Sequence, residues 1–175
     1  LRNIWKKNTE EERLLGVSLT GIMDNELLSG NSATLGTNIS STLELLREVA
    51  VETNKGMAKK LGIPRSTAIT CVKPSGTVSQ LVDSASGIHA RHNAHYIRTV
   101  RGDNKDPLTQ FLTSQGIPAE ADVMKPESTT VFSFPMASPR GAVTRTILTA
   151  IEQLELWLTY QRHWCEHKPS VTISV

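Results

Sequence analysis

The chain has 175 residues, of which 38% are hydrophobic and 21% charged, and its net charge is +2. Such a balance fits a globular protein with a real core, and a charge this small gives no electrostatic case for binding nucleic acid. No apolar run approaches the roughly 20 residues that span a bilayer, and the start, Leu1 to Lys7, lacks the apolar centre of a signal peptide. We therefore expect no membrane and no nucleic acid among its partners.

The two cysteines, Cys71 and Cys165, form neither a CxxC pair nor a spaced cluster, so a reduced, cytoplasmic setting is expected. The chain has no initiator Met and stops within the strand-like run Ser170 to Val175. We read 1–175 as a single partial domain of something longer.

In chain order, Leu14–Thr20 is the first strand candidate. Segment Met23–Asn38, rich in Gly, Ser, Asn and Thr, reads as a long loop. A long amphipathic helix follows, with Ile39, Leu43, Leu46, Ala50, Met57 and Leu61 near 3.6-residue spacing. Ser41 with Glu44 resembles a capping box, and Gly62 then Pro64 close the far end. Ala68–Val72 is a β-branched apolar run that reads as a buried second strand, broken by Pro74 and Gly76 before a short helix from Thr77 to Val82.

Tyr96–Arg101 is the third strand, and a helix opened by Asp106-Pro107 and ended by Gly116 comes next. Thr129–Phe134 is the fourth strand, with Pro135–Gly141 as a loop. A helix over Thr144 to His163 carries Ile147, Ile151, Leu154, Leu158 and Gln161 on one side, and Val171–Val175 is the fifth strand. Strands alternating with helices predict an α/β fold with right-handed crossovers and a mostly parallel sheet.

Ligands of such sheets sit at the carboxyl ends of strands, where the turn Lys73-Pro74-Ser75-Gly76-Thr77 would lie. A helix starting straight after a strand presents backbone N–H groups and hydroxyls at one point, which suits a phosphate. The turn is not a GxxxxGK[ST] loop, and on spacing alone a tight turn without a ligand competes equally with a phosphate site.

Two other clusters invite chemistry. His89, His92 and His95 stand three residues apart, but no Cys or carboxylate in the run completes a tetrahedral metal site. A polar, cation-capable loop beside the phosphate turn, with Arg91, Arg98 and Arg101 adding charge, is the stronger reading, and no metal is assigned. Cys165-Glu166-His167 suggests a thiol nucleophile, against which stands a structural helix end with Trp164 packing. Cys71 reads as a small core residue.

The wording of the turn narrows these choices. Thr70-Cys71-Val72-Lys73-Pro74-Ser75-Gly76-Thr77-Val78-Ser79-Gln80-Leu81 resembles the phosphate-binding turn of ribonucleotide reductases, above all the adenosylcobalamin-dependent (class II) ribonucleoside-triphosphate reductases. Matching segments follow in family order. They are Leu15–Asp24, Ser86-Gly87-Ile88-His89 with Tyr96–Arg101, Glu120-Ala121-Asp122-Val123, Thr129–Pro135 and Trp164–Val175.

The resemblance implies the second five-stranded half of a ten-stranded α/β barrel. It implies an enzyme in which an adenosylcobalamin-initiated thiyl radical converts ribonucleotides to deoxyribonucleotides. An Asn-Pro-Cys-Gly-Glu loop carrying the radical cysteine does not occur here. No catalytic residue is therefore expected in the chain, and its activity would need the missing N-terminal part and a dithiol reductant such as thioredoxin. Pro74, Ser75, Gly76, Thr77, Val78 and Ser79 would hold the substrate's phosphates. His89, Arg91, His92, Asn93 and Tyr96 would contact the cofactor, none of them as the cobalt's axial ligand. A stand-alone, non-catalytic phosphate- or nucleotide-binding module is the alternative, and a different cobalamin enzyme or a thiol hydrolase built on Cys165 is a third.

Overall fold

The computed structural model describes residues 2–30 and 38–173. The chain divides into two compact units, one formed by 1–92 with 139–175 and the other by 93–138.

The first unit opens with α1 (Asn3–Glu12), which the sequence reading missed. It buries no residue, has no side-chain cap and holds only two apolar residues, Ile4 and Trp5, too few to set an apolar repeat along its length. β1 (Val17–Ser18) then pairs in parallel with the later β2 strand (Thr70–Cys71), Val17 opposite Thr70. The extended pairing runs further than these two residues. The N–H groups of Leu15, Val17 and Leu19 donate to the carbonyls of Ala68, Ile69 and Cys71 at 3.1, 2.9 and 3.3 Å.

Within the stretch expected to be a loop, a 3-10 turn at Ile22–Asp24 buries Ile22 and Met23 completely. Residues 31–37 of that stretch lie outside the described residues. α2 (Ile39–Leu61) is capped by Asn38, whose side chain accepts from the Ser40 N–H. Ser41 is not the cap; it sits inside the first turn and donates to the Asn38 carbonyl at 2.8 Å. Gly62 ends the helix with a left-handed φ of 65°.

α3 (Val78–Leu81) is a single turn of four residues. In the second unit, β3 (His95–Asp103) leads through Asp106, an N-cap with Pro107 behind it, into α4 (Pro107–Ser114). β4 (Ala119–Ala121) and β5 (Thr129–Ala137) complete a three-stranded sheet in the order β3-β5-β4. β5 runs through Pro135, so the expected loop begins later.

The third and fourth strand candidates pair antiparallel, from His95 opposite Ala137 to Asp103 opposite Thr129. This corrects the expectation of a mostly parallel sheet. The cause is β4, a short exposed strand without β-branched residues. It also pairs antiparallel with β5, so α4 carries the chain from β3 to a strand running the same way. One uncounted strand then reverses the direction of the next.

Back in the first unit, α5 (Ala150–His163) starts six residues later than its pattern predicts. Thr149 and Glu152 form its capping box, each side chain bonding the other's backbone, which holds the Glu152 carboxyl below its ordinary pKa. The predicted apolar side is the wrong one. Ile147 and Ile151 are 63% and 69% exposed, while Leu156 and Tyr160 are buried. The core gathers Ile22, Met23, Leu43, Ile88, Tyr160 and Trp164. Residues 171–173 form no strand, and 174–175 lie outside the described residues. Among the described residues no helix is long and apolar enough to cross a membrane.

Candidate phosphate-binding turn

β2 is held from both sides. β1 occupies one edge. On the other, the Glu166 carboxylate accepts from the N–H groups of Ile69 and Thr70 at 2.9 and 3.2 Å, and the Glu166 and His167 N–H groups donate to the Thr70 carbonyl. The Trp164 indole donates to the Cys71 carbonyl at 2.7 Å, and the Thr70 hydroxyl to the Trp164 carbonyl at 2.5 Å. A strand fixed this firmly delivers Lys73 to Thr77 to a defined place at the carboxyl end of a parallel pair.

The turn is tied down in turn by side chains. The Lys73 N–H donates to the Ser18 hydroxyl at 3.0 Å, and the Ser75 and Thr20 hydroxyls meet at 2.8 Å. The Ser79 hydroxyl and N–H both donate to the Ser75 carbonyl, and the Ser84 N–H bonds the Ser79 carbonyl at 2.9 Å. Pro74, Gly76, Thr77 and Val78 are exposed, Ser75 is half-buried and Ser79 is buried. Of the six predicted phosphate residues, five line the outer rim and Ser79 faces inward as a brace. Among the described residues the N–H groups of Thr77 and Val78 meet no acceptor, and the Lys73 ammonium makes no ion pair.

Behind the turn lies a buried ion pair that the sequence reading missed. The Arg91 side chain, 3% exposed, reaches Asp24 through Nε and Nη2, both at 2.8 Å. It also bonds the Asp83 carbonyl at 2.7 Å and the Asp83 carboxylate at 3.2 Å. Asp24 accepts in addition from the Ala85 N–H at 2.6 Å. Arg91 thus braces the loop that follows α3 rather than presenting charge outward. The partners stand 67 residues apart in sequence, which no local pattern reveals.

Of the other predicted cofactor residues, His89 and His92 line a cavity of about 240 Å³ in the first unit, together with Arg145, Leu148, Gln153 and Thr172. His89 Nε2 accepts from the Thr172 N–H at 3.0 Å, leaving Nδ1 to donate to the Ser86 carbonyl at 2.9 Å. Both ring nitrogens are therefore engaged by protein. Asn93 and Tyr96 belong to the second unit, where Asn93 accepts from the Ala94 N–H and Tyr96 pairs with Met136 across β3 and β5. The cofactor residues are divided between the two units. Arg98 is half-buried on β3, and the Arg101 guanidinium is paired with Asp122 at 2.7 Å. Among the described residues no three of His, Cys, Asp and Glu come together as a metal site would require.

The thiol-nucleophile reading does not survive this geometry. Cys165 is buried, and loss of solvent, then the nearby Cys71, push its thiol up to about 12. A thiol so far from ionisation is a core residue.

Comparison with known proteins gives these features a lineage. No family model matches the chain. It is 28% identical over 173 residues to the adenosylcobalamin-dependent ribonucleoside-triphosphate reductase of Euglena gracilis, an alignment covering 97% of this chain and 23% of that protein. Against the enzyme of the same name from Lactobacillus leichmannii it is 28% identical over 198 residues, 99% of this chain and 26% of the relative. A crystal structure of a B12-dependent (class II) ribonucleotide reductase superposes with a TM-score of 0.82 at 26% identity, over 99% of this chain and 27% of the other.

The chain is homologous to one segment of the class II ribonucleotide reductases. It spans about a quarter of the length of the relatives it matches. The candidate turn, its Arg91–Asp24 brace and the Glu166 clamp all lie in the first unit, while Asn93 and Tyr96 of the predicted contacts lie in the second.

Proposed function

We propose that this chain is the part of an adenosylcobalamin-dependent ribonucleoside-triphosphate reductase that holds the phosphates of a ribonucleotide substrate. It would supply the second half of the α/β barrel, with β1 and β2 among its parallel strands. Pro74, Ser75, Gly76, Thr77 and Val78 form the contact rim, Lys73 adds charge beside it, and Ser79 holds the turn closed. The rim needs no long helix behind it, because α3 is one turn; free N–H groups, hydroxyls and a lysine do the recognition.

The observation that carries this reading is Gly76. Its φ is not in the left-handed region, and a Cβ built on it would meet nothing within 4 Å. Among the described residues nothing stands where a side chain at this position would go, and glycine there suits an anion approaching the backbone. Gly87 is the contrast, since its added Cβ would lie 2.7 Å from the Lys73 carbonyl oxygen.

The cofactor fits in part. The 240 Å³ cavity beside His89, His92 and Arg145 is smaller than the roughly 300–1,000 Å³ of pockets that enclose a whole ligand. These residues suit one polar edge of adenosylcobalamin, and the engaged His89 ring is not a cobalt ligand; Asn93 and Tyr96, which belong to the second unit, are kept as separate candidate contacts. When bound, the cofactor supplies the initiating radical; this chain's part is to hold and orient. The radical cysteine comes from the N-terminal part of the reductase and the electrons from a dithiol such as thioredoxin, in the cytoplasm.

The test is reconstitution. The chain alone turns over no ribonucleotide, and adding the part that carries the Asn-Pro-Cys-Gly-Glu loop, with adenosylcobalamin and a dithiol, restores reduction. In that mixture Gly76→Ala keeps the fold and raises KM for the triphosphate. Turnover by the chain alone, or an unchanged KM, overturns the proposal. A soluble monomer that binds nucleotide saturably and ignores the missing part would make it a non-catalytic binding module.

A further inference from the structure

The direction of one hydrogen bond in the rim is fixed by proton counting. A hydroxyl has a single proton to donate and accepts through its oxygen. The Thr20 hydroxyl donates to the Ala85 carbonyl at 3.0 Å and accepts from the Gly87 N–H at 3.1 Å. Its proton is spent on Ala85, so in the 2.8 Å contact with Ser75 the donor is Ser75. Ser75 then presents only lone pairs outward, the wrong polarity for a phosphate oxygen.

Resting on the phosphate reading above, we propose that Thr20 is a positioning residue whose hydroxyl reverses its donation when phosphate binds. The Ser75 proton swings out to the ligand oxygen, and the Thr20 proton leaves Ala85 to donate to Ser75. The chain then runs Thr20 to Ser75 to phosphate, each bond polarising the next. No group is stranded by the reversal. The Ala85 carbonyl keeps the Gly21 N–H at 2.8 Å, and Thr20 keeps the Gly87 N–H. Gly87 is placed to report the event, because its backbone packs on the Lys73 carbonyl at the base of the turn.

Amide NMR of the 175-residue chain titrated with inorganic tripolyphosphate tests this directly. Gly76 and Thr77 shift as the rim fills, and Gly21 and Gly87 shift along the same binding curve, since both share partners with the Thr20 hydroxyl. Shifts at Gly76 and Thr77 with Gly21 and Gly87 stationary overturn the relay and leave the phosphate site standing. No shift anywhere removes the phosphate site itself.

Variants give a second reading. Thr20→Val weakens tripolyphosphate about tenfold, the scale of one hydrogen bond to a charged group, and Thr20→Ser stays within about twofold of the parent. Ser75→Ala loses as much as Thr20→Val, and the double variant loses no more than either, because the two hydroxyls act as one path. Losses that simply multiply overturn the proposal.

Discussion

The two units of this chain achieve order in opposite ways. The second joins β3 to β5 through nine consecutive residue pairs and β5 to β4 through three more, backbone against backbone. The first has a parallel ladder of two registered residue pairs, extended by single bonds from Leu15 and Leu19. Its backbone groups are met instead by the side chains of Ser18, Thr20, Asp24, Glu166 and Trp164. Regular pairing spends backbone donors between the strands, while side-chain satisfaction leaves a strand end where the N–H groups of Thr77 and Val78 meet no acceptor among the described residues. The proposed phosphate rim lies where the ladder is shortest.

The sharpest way to break that contrast is to remove the brace. Arg91→Ala leaves Asp24 buried without its partner and destabilises the first unit by about 4 kcal/mol. Urea denaturation followed by the buried Trp164 reads the loss, and hydrogen exchange in β3 and β5 stays protected. Equal loss of protection in both units would show that they do not differ as described.

The counterpart is Phe132→Ala. This ring is among the few fully buried in the second unit, and its removal costs about 3 kcal/mol. The β3 and β5 amides lose protection while tripolyphosphate binding is unchanged. Next in size, Gly87→Ala places a Cβ against the Lys73 carbonyl at a φ of 55° and costs about 2 kcal/mol. Gly76→Ala, in open space, leaves the denaturation midpoint where it was. The smallest effect is electrostatic. The Arg101 guanidinium, then the N–H groups of Met124 and Lys125, hold the Asp122 carboxyl below the usual 3.8. A depressed pKa stabilises the fold above that value, and the contribution is lost as pH falls through the depressed one. Asp122→Asn flattens this acid-side decline, seen as β4 and β5 exchange against pH.

What the sequence made legible was local. Gly62 and Gly116 end their helices as read, Asp106-Pro107 opens α4, and Ala68–Val72, buried from Ile69 onward, ends at the turn. What it hid depended on partners far along the chain. Asp24 and Arg91 carry no mutual signal across 67 residues, and Thr20 looks like any strand threonine until Ser75 is beside it. The α5 pattern misled because its isoleucines repeat at helical spacing yet lie exposed, while Gln153 is buried by donating to the Thr172 carbonyl. Three-residue β4 offered too little pattern to count, and the strand directions followed from it.

The first unit is discontinuous, and β2 depends on Trp164, which meets Thr70 from 94 residues further on. Contacts this distant in sequence are slow to close. On a ribosome the second unit, contiguous from 93 to 138, has all its pairing residues as soon as it emerges. The candidate turn must wait, its strand unclamped, until α5 and Glu166 have been made. Synthesis therefore finishes the antiparallel sheet before the proposed phosphate rim, and a stall before residue 164 leaves a chain with an intact second unit and an unformed turn.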